Sequence, residues 1–175
     1  MRKLARARVP LGFVCGAIVL WLAKPEPGLL MAGLPIAIVG EALRVWAAGH
    51  LEKSREVTQS GPYRFMRHPL YVGSALMGIG LSIASASLIV ALLTGIYLGT
   101  TIRAAIKTEE AFLRSAFGGD YDAYSQGRGQ SASPAVMRRF SIARAMRNKE
   151  YRAMTGLGIA FLLLVLKMFW LYGDS

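Results

Sequence analysis

Residues 70–102 read LYVGSALMGIGLSIASASLIVALLTGIYLGTTI, a run of 33 positions without a charged side chain. A single helix of that length, at 1.5 Å per residue, would be about 50 Å long. The hydrocarbon core of a bilayer is only about 30 Å thick. The small polar run Ser82-Ile-Ala-Ser-Ala-Ser87 stands near the middle of the stretch. It reads as a tight turn, so the stretch predicts a hairpin of two helices, roughly 70–84 and 86–106.

Further apolar blocks lie on either side, at Val9–Ala23, Gly28–Ala48 and Ala153–Tyr172. A crossing needs about 20 helical residues, so each block predicts one span. The expected fold is therefore all-α, a polytopic membrane helical bundle of about five transmembrane helices. It forms a single domain over 1–175, with a linker and basic helical segment at 125–152 and the last transmembrane helix at 153–172. The first block follows the basic start Met1-Arg-Lys-Leu-Ala-Arg-Ala-Arg8, as in a signal peptide. Trp21-Leu-Ala-Lys-Pro-Glu-Pro27 is a poor cleavage site, and a retained first helix is expected.

Composition agrees. Hydrophobic residues make up 54%, charged residues 18%, and the net charge is +11. A basic balance of this size suits nucleic acid or an anionic membrane surface. The apolar blocks favour the membrane, and no nucleic-acid partner is expected. Cys15 is the sole cysteine. Neither an intramolecular disulfide nor a cysteine metal cluster can form, and no metal is expected.

The charge is distributed by loop. The N-terminal tail carries Arg2, Lys3, Arg6 and Arg8, and segment 49–69 carries Lys53, Arg55, Arg64 and Arg67. Segment 103–152 carries ten Lys or Arg, whereas the 82–87 turn and the tail Gly173-Asp-Ser175 carry none. The positive-inside tendency places the N-terminus and both basic segments in the cytoplasm and the C-terminus on the opposite side. Segment 127–134 (GRGQSASP) reads as a linker. Ala135–Arg152 reads as an amphipathic basic helix on the anionic lipids of the inner leaflet. Gly12/Gly16 and Gly95/Gly99 have the spacing of close helix contacts.

Ionisable groups inside a membrane are costly and call for a reason. Glu41 and Arg44 are three apart near the inner end of the second span, share a helix face and can pair, either as a structural ion pair or as part of a site. Lys167, near the outer end of the last span, is expected to snorkel.

Two segments are richer in chemistry. Residues 61–73 read GPYRFMRHPLYVG. Pro69 suits the first turn of a helix, which places His68 beside unpaired backbone N–H groups that attract negative groups. Arg64, Arg67, His68, Tyr63 and Tyr71 add donors and aromatic faces. Such a set could hold a ligand with a carboxylate and a flat ring, or could form an interfacial belt. Residues 107–124 read KTEEAFLRSAFGGDYDAY. Glu109 and Glu110 call for a cationic or hydroxyl-rich partner, which Arg103 and Lys107 or a ligand's ribose or ammonium could supply. The hairpin brings both segments to one side.

The joint pattern Gly-Pro-Tyr-x-x-x-Arg-His-Pro-x-Tyr-x-Gly and Glu-Glu-x-x-Leu-x-x-x-Phe-Gly-x-x-Tyr-x-x-Tyr, with Arg44-Val-Trp46 ahead of it, resembles the isoprenylcysteine carboxyl methyltransferase family and its phospholipid-methylating relatives. The likeness covers roughly 36–124. It implies a membrane-embedded methyltransferase that uses S-adenosyl-L-methionine. It also implies cofactor contacts at Tyr63, His68, Pro69, Leu70 and Tyr71, at Glu109 or Glu110, and along Arg55–Thr58, including Val57 and Thr58. Arg67 joins that set from its place in the motif. Arg44, Arg103 and Lys107 are candidates for the substrate. His68, Glu109 and Glu110 are candidates for catalysis, where an acceptor must lose a proton.

The implied partner is a lipophilic methyl acceptor. A prenylated thiol carboxylate, a phospholipid amine and a small lipophile all stay open. The competing readings are an NADPH-dependent sterol or steroid reductase, which has a similar Arg-His-Pro stretch, and a non-catalytic membrane scaffold.

Overall fold

The computed structural model describes residues 14, 16–53, 55–127 and 138–173. Among these the chain is helical with short connections and has no strand. Helical residues 16–22 come first, followed by α1 (Pro27–His50), a 3₁₀ turn (Gly61–Arg64), α2 (Pro69–Ala84), α3 (Leu88–Phe117), α4 (Gly119–Ser125), α5 (Ile142–Arg147) and α6 (Tyr151–Tyr172). α1, α3 and α6 are long and apolar enough to cross a membrane, and α2 is a shorter apolar helix.

The hairpin forms where the sequence predicts it. α2 stops at Ala84, Ala86 takes a positive φ of 49°, and Ser85 donates its hydroxyl to the Ser82 carbonyl at 2.7 Å. Ser87 then caps α3 by accepting from the Val90 amide, which satisfies one of the amides a helix start leaves open. The Lys24 amide donates to the Ser85 carbonyl at 2.8 Å and ties the turn to the start of α1.

α1 and α2 pack backbone to backbone. A Cβ on Gly40 would lie 2.6 Å from the Gly73 carbonyl oxygen, and one on Gly80 would lie 2.6 Å from that of Gly33. These glycines recur seven apart on each helix, so one smooth face meets another, as small residues allow in membranes. The expected close contacts were elsewhere: Gly16, Gly95 and Gly99 face open space, and Gly12 lies outside the described residues. α6 closes the bundle, with Leu157, Phe161 and Leu164 in a core with Ala23, Leu30, Ala37 and Ala84.

Two further expectations change. The linker over 127–134 lies outside the described residues except for Gly127. Of the basic helix over 135–152, the described residues form only the first two residues of α6, the turn at 148–150 before it and the short helix Ile142–Arg147. Its neighbours fold onto the 51–56 loop, because Glu52 and Glu56 offer Arg138 and Arg144 carboxylates nearby. Lys167 does more than snorkel. It donates to the carbonyls of Leu20 and Trp21 at 2.7 and 2.6 Å, which a helix end leaves without partners.

Candidate functional site

α3 is 30 residues long, so it continues past the apolar stretch that ends at Ile102. Its extension carries Arg103, Lys107, Glu109 and Glu110 beside the start of α2. There, the chain leaves the 3₁₀ turn and enters α2 through His68, with Pro69 at the first helical position. His68 Nε2 lies 3.1 Å from Glu110 Oε1, and Arg67 Nη1 lies 3.8 Å from the same oxygen. Hydrogen bonding from His68, with the charges of Arg67 and Arg114, holds the Glu110 carboxyl below the usual carboxylate range.

A cavity of about 560 Å³ opens at this junction, within the size range of small-molecule sites. Among its walls are Val57, Thr58, Tyr63, Arg67, His68, Leu70, Tyr71, Glu109 and Arg44, all of them singled out in the sequence. Pro69 is buried in the helix start, and Glu110 reaches the site by holding His68. Arg103 lines a second, apolar groove between α2 and α3. Lys107 is exposed on α3 and lines neither space.

Several wall residues escaped the sequence reading. Tyr121 and Tyr124 on α4 line the cavity along with Glu52, Phe112 and Leu113. The second tyrosine pair was visible in the Tyr-x-x-Tyr motif, but not that α4 folds back over the site. Gly118, with φ 46°, allows that reversal. The Tyr124 hydroxyl donates to the Tyr63 carbonyl at 2.8 Å. Burial, with Tyr121 beside it, pushes Tyr124 up to about 12. Burial and the Glu109 carboxylate push Tyr63 up further. Both phenols therefore stay protonated near neutral pH and can donate.

The Glu41–Arg44 pair that the spacing allows does not form. Arg44 Nε donates to Glu150 at 2.6 Å, and Nη1 donates to the Ser74 hydroxyl and to the Leu70 carbonyl. Glu150 stands in the turn before α6, 106 positions away, and no local spacing could reveal it. Both Glu41 oxygens are buried and have no hydrogen-bond partner among the described residues.

Comparison with known proteins fits this geometry. A family model described as phospholipid methyltransferase matches residues 30–120. The chain belongs to that family. The matched residues take in α1, the 3₁₀ turn, α2 and α3, and with them most of the cavity wall. A cobalt-zinc-cadmium resistance protein of Cupriavidus metallidurans is 36% identical over 99 residues, covering 55% of this chain and 44% of that protein. A probable protein-S-isoprenylcysteine O-methyltransferase of Oryza sativa is 31% identical over 106 residues, covering 54% and 56%. A protein-S-isoprenylcysteine O-methyltransferase of Schizosaccharomyces pombe is 31% identical over 85 residues, covering 49% and 36%. The chain spans about half the length of the curated relatives it matches. No solved structure matches it.

Proposed function

We propose that this integral membrane protein transfers a methyl group from S-adenosyl-L-methionine to a lipophilic acceptor at the cytoplasmic face of its membrane. The observation that carries the reading is the cavity between the His68 helix start and the Glu109 side of α3. It joins acidic, basic and aromatic side chains in one wall. The donor set suits the methyl donor, which bears a carboxylate, an ammonium, a ribose and an adenine. Arg67 and the α2 start would hold the carboxylate. Glu109 would hold the ammonium or ribose, and Tyr63, Tyr71, Val57 and Leu70 would flank the adenine. When bound, the donor supplies an electrophilic methyl on a sulfonium sulfur.

The chain's part is then mostly positional. Alignment of reacting atoms is the main requirement for an in-line displacement. The His68–Glu110 pair can take a proton from an amine or phenol acceptor, whereas a carboxylate acceptor needs no base. Access for the acceptor comes from the α2–α3 groove, a space of about 780 Å³ lined by Ala75, Gly78, Ser82, Ala91, Leu98 and Ile102 among others. On α2, Tyr71, Ala75, Gly78 and Ser82 recur at helical spacing. On α3, Ile102, Ala105, Glu109 and Phe112 do the same. Each face therefore runs from groove to cavity. Arg103 at the groove's inner end and Arg44 in the cavity wall would hold an anionic head, and Lys107 would add charge nearby.

The test is incubation of the purified protein with methyl-labelled S-adenosyl-L-methionine and fractionated membrane lipids. Label in a lipophilic product is expected. Binding of NADPH without binding of S-adenosyl-L-methionine would overturn the reading in favour of a reductase.

A further inference from the structure

Residues 138–150 lie beyond the family-matched region 30–120, yet they bind three residues of the cavity wall. Arg138 donates to both oxygens of Glu56, from Nε at 2.9 Å and from Nη2 at 2.8 Å. Arg144 Nε donates to Glu52 at 2.8 Å, and Arg147 Nη2 reaches the same Glu52 oxygen at 3.3 Å. Glu150 accepts from Arg44. Glu52, Glu56 and Arg44 all line the cavity, whereas Arg138, Arg144 and Glu150 do not.

The same segment is fastened to the end of α1. Asn148 Nδ2 donates to the carbonyls of Ala48 and Leu51 at 2.8 and 2.9 Å. The Gly49 carbonyl accepts from the Ser141 amide at 3.1 Å and from Arg144 Nη1 at 2.6 Å. A helix end leaves such carbonyls without partners, so the segment has fixed anchors on α1. The Phe140 ring lies against Gly49, where a Cβ would collide with it.

We propose that residues 138–150 are a positioning strap for the methyl-donor cavity, in which Arg138 and Arg144 fix the Glu52 and Glu56 wall and Glu150 fixes Arg44. This rests on the methyl-donor reading above. Glu52 and Glu56 without partners would repel each other and the donor's carboxylate. Paired with arginines, their charge is compensated and their orientation set, and the two-pronged Arg138 contact fixes orientation as well as charge. The loop between them leads directly into Val57 and Thr58, so its placement carries over to those wall residues. Arg44, held at Nε and Nη1, keeps its planar group in one orientation.

The experiment is isothermal titration of S-adenosylhomocysteine, the demethylated donor, into the full-length protein in lipid nanodiscs. It compares the wild-type chain with Arg138→Ala, Arg138→Lys and Arg144→Ala. Titration separates the number of competent sites from their affinity. A role in folding alone lowers the number and leaves the Kd of the remaining sites unchanged. The strap predicts about a tenfold rise in Kd at an unchanged number of sites for Arg138→Ala and Arg144→Ala. It predicts partial recovery in Arg138→Lys, which keeps the charge but not the fork. An unchanged Kd in both alanine variants overturns the strap while the methyl-donor reading stands. Failure of the wild-type chain to bind the probe overturns that reading and the strap with it.

Discussion

Arg44 and Glu150 meet at 2.6 Å across 106 positions of chain, with the Glu150 side chain only 5% exposed. The contact links the C-terminal part of α1 to the entry of α6. Truncating one partner of such a pair strands the other charge, so Glu150→Ala is expected to cost about 3 kcal/mol. Glu150→Gln, which keeps an acceptor for Nε, is expected to cost less. Denaturant titration in mixed micelles, followed by tryptophan fluorescence, measures both. Equal losses would mean that shape and not charge holds Arg44.

The α1–α2 glycine contact makes an opposite pair of predictions. Gly40→Ala places a methyl against the Gly73 carbonyl, and overpacking of this kind costs about 1–3 kcal/mol. Gly95→Ala adds a methyl where nothing lies within 4 Å, and it should leave thermal stability unchanged or raise it through better helix propensity. A thermal-shift comparison of the two variants decides the matter.

At the cavity, His68→Ala removes both a wall residue and the partner of Glu110. The affinity for S-adenosylhomocysteine is expected to fall about tenfold, which is about 1.4 kcal/mol. Glu109→Gln should weaken binding in the same way. Titration calorimetry reads both, and unchanged affinities would move the ligand away from this wall.

Tyr124 predicts an alkaline limit. Its folded-state pKa is raised to about 12 by burial, against about 10 for an ordinary tyrosine. In the interval the folded state keeps a proton that the unfolded state has lost. Stability is therefore intact below pH of about 10 and falls as pH rises toward about 12. Tyr124→Phe should make the alkaline decline shallower while costing about 1 kcal/mol at neutral pH, through loss of the hydrogen bond to Tyr63. Melting temperatures across the alkaline range test both effects.

Glu52 contributes an acid dependence, as Glu110 does. The Arg144 hydrogen bond is the largest cause holding its carboxyl below the ordinary range. The contribution is present above the unfolded carboxylate pKa and is lost as pH falls through the lower folded one. Arg144→Met should weaken that acid dependence in the melting curve, with Arg147 still on the same carboxylate.

Much of the architecture was legible because it is written locally. The charge-free run at 70–102 and its serine-rich centre defined the α2–α3 hairpin, and the Arg67-His68-Pro69 step defined the start of α2. Two motifs at the feet of one hairpin must lie close, and His68 and Glu110 do. What escaped depends on contacts distant in sequence. Glu41 and Arg44 have the right spacing to pair, but spacing cannot show that Glu150 arrives to take Arg44. The basic residues after 137 looked like lipid ligands because their acidic partners, Glu52 and Glu56, stand more than 80 positions earlier. The close glycines were likewise misplaced. Gly95 and Gly99 carry a familiar spacing, whereas Gly33, Gly40, Gly73 and Gly80 meet only because two separate helices align.

α3 has one consequence for the protein's surroundings. It is a single rod of 30 residues, about 45 Å at helical rise, and within the apolar part of its length only 6% of residues are buried against the rest of the chain. Most of that apolar length is therefore left for lipid to cover, and the match between it and the bilayer is a property of this one helix. Its far end carries Glu109 and Glu110. The carboxylate that meets His68 thus stands on the same continuous rod that the lipid surrounds, so the membrane-covered part of the protein and one wall of its site are a single element.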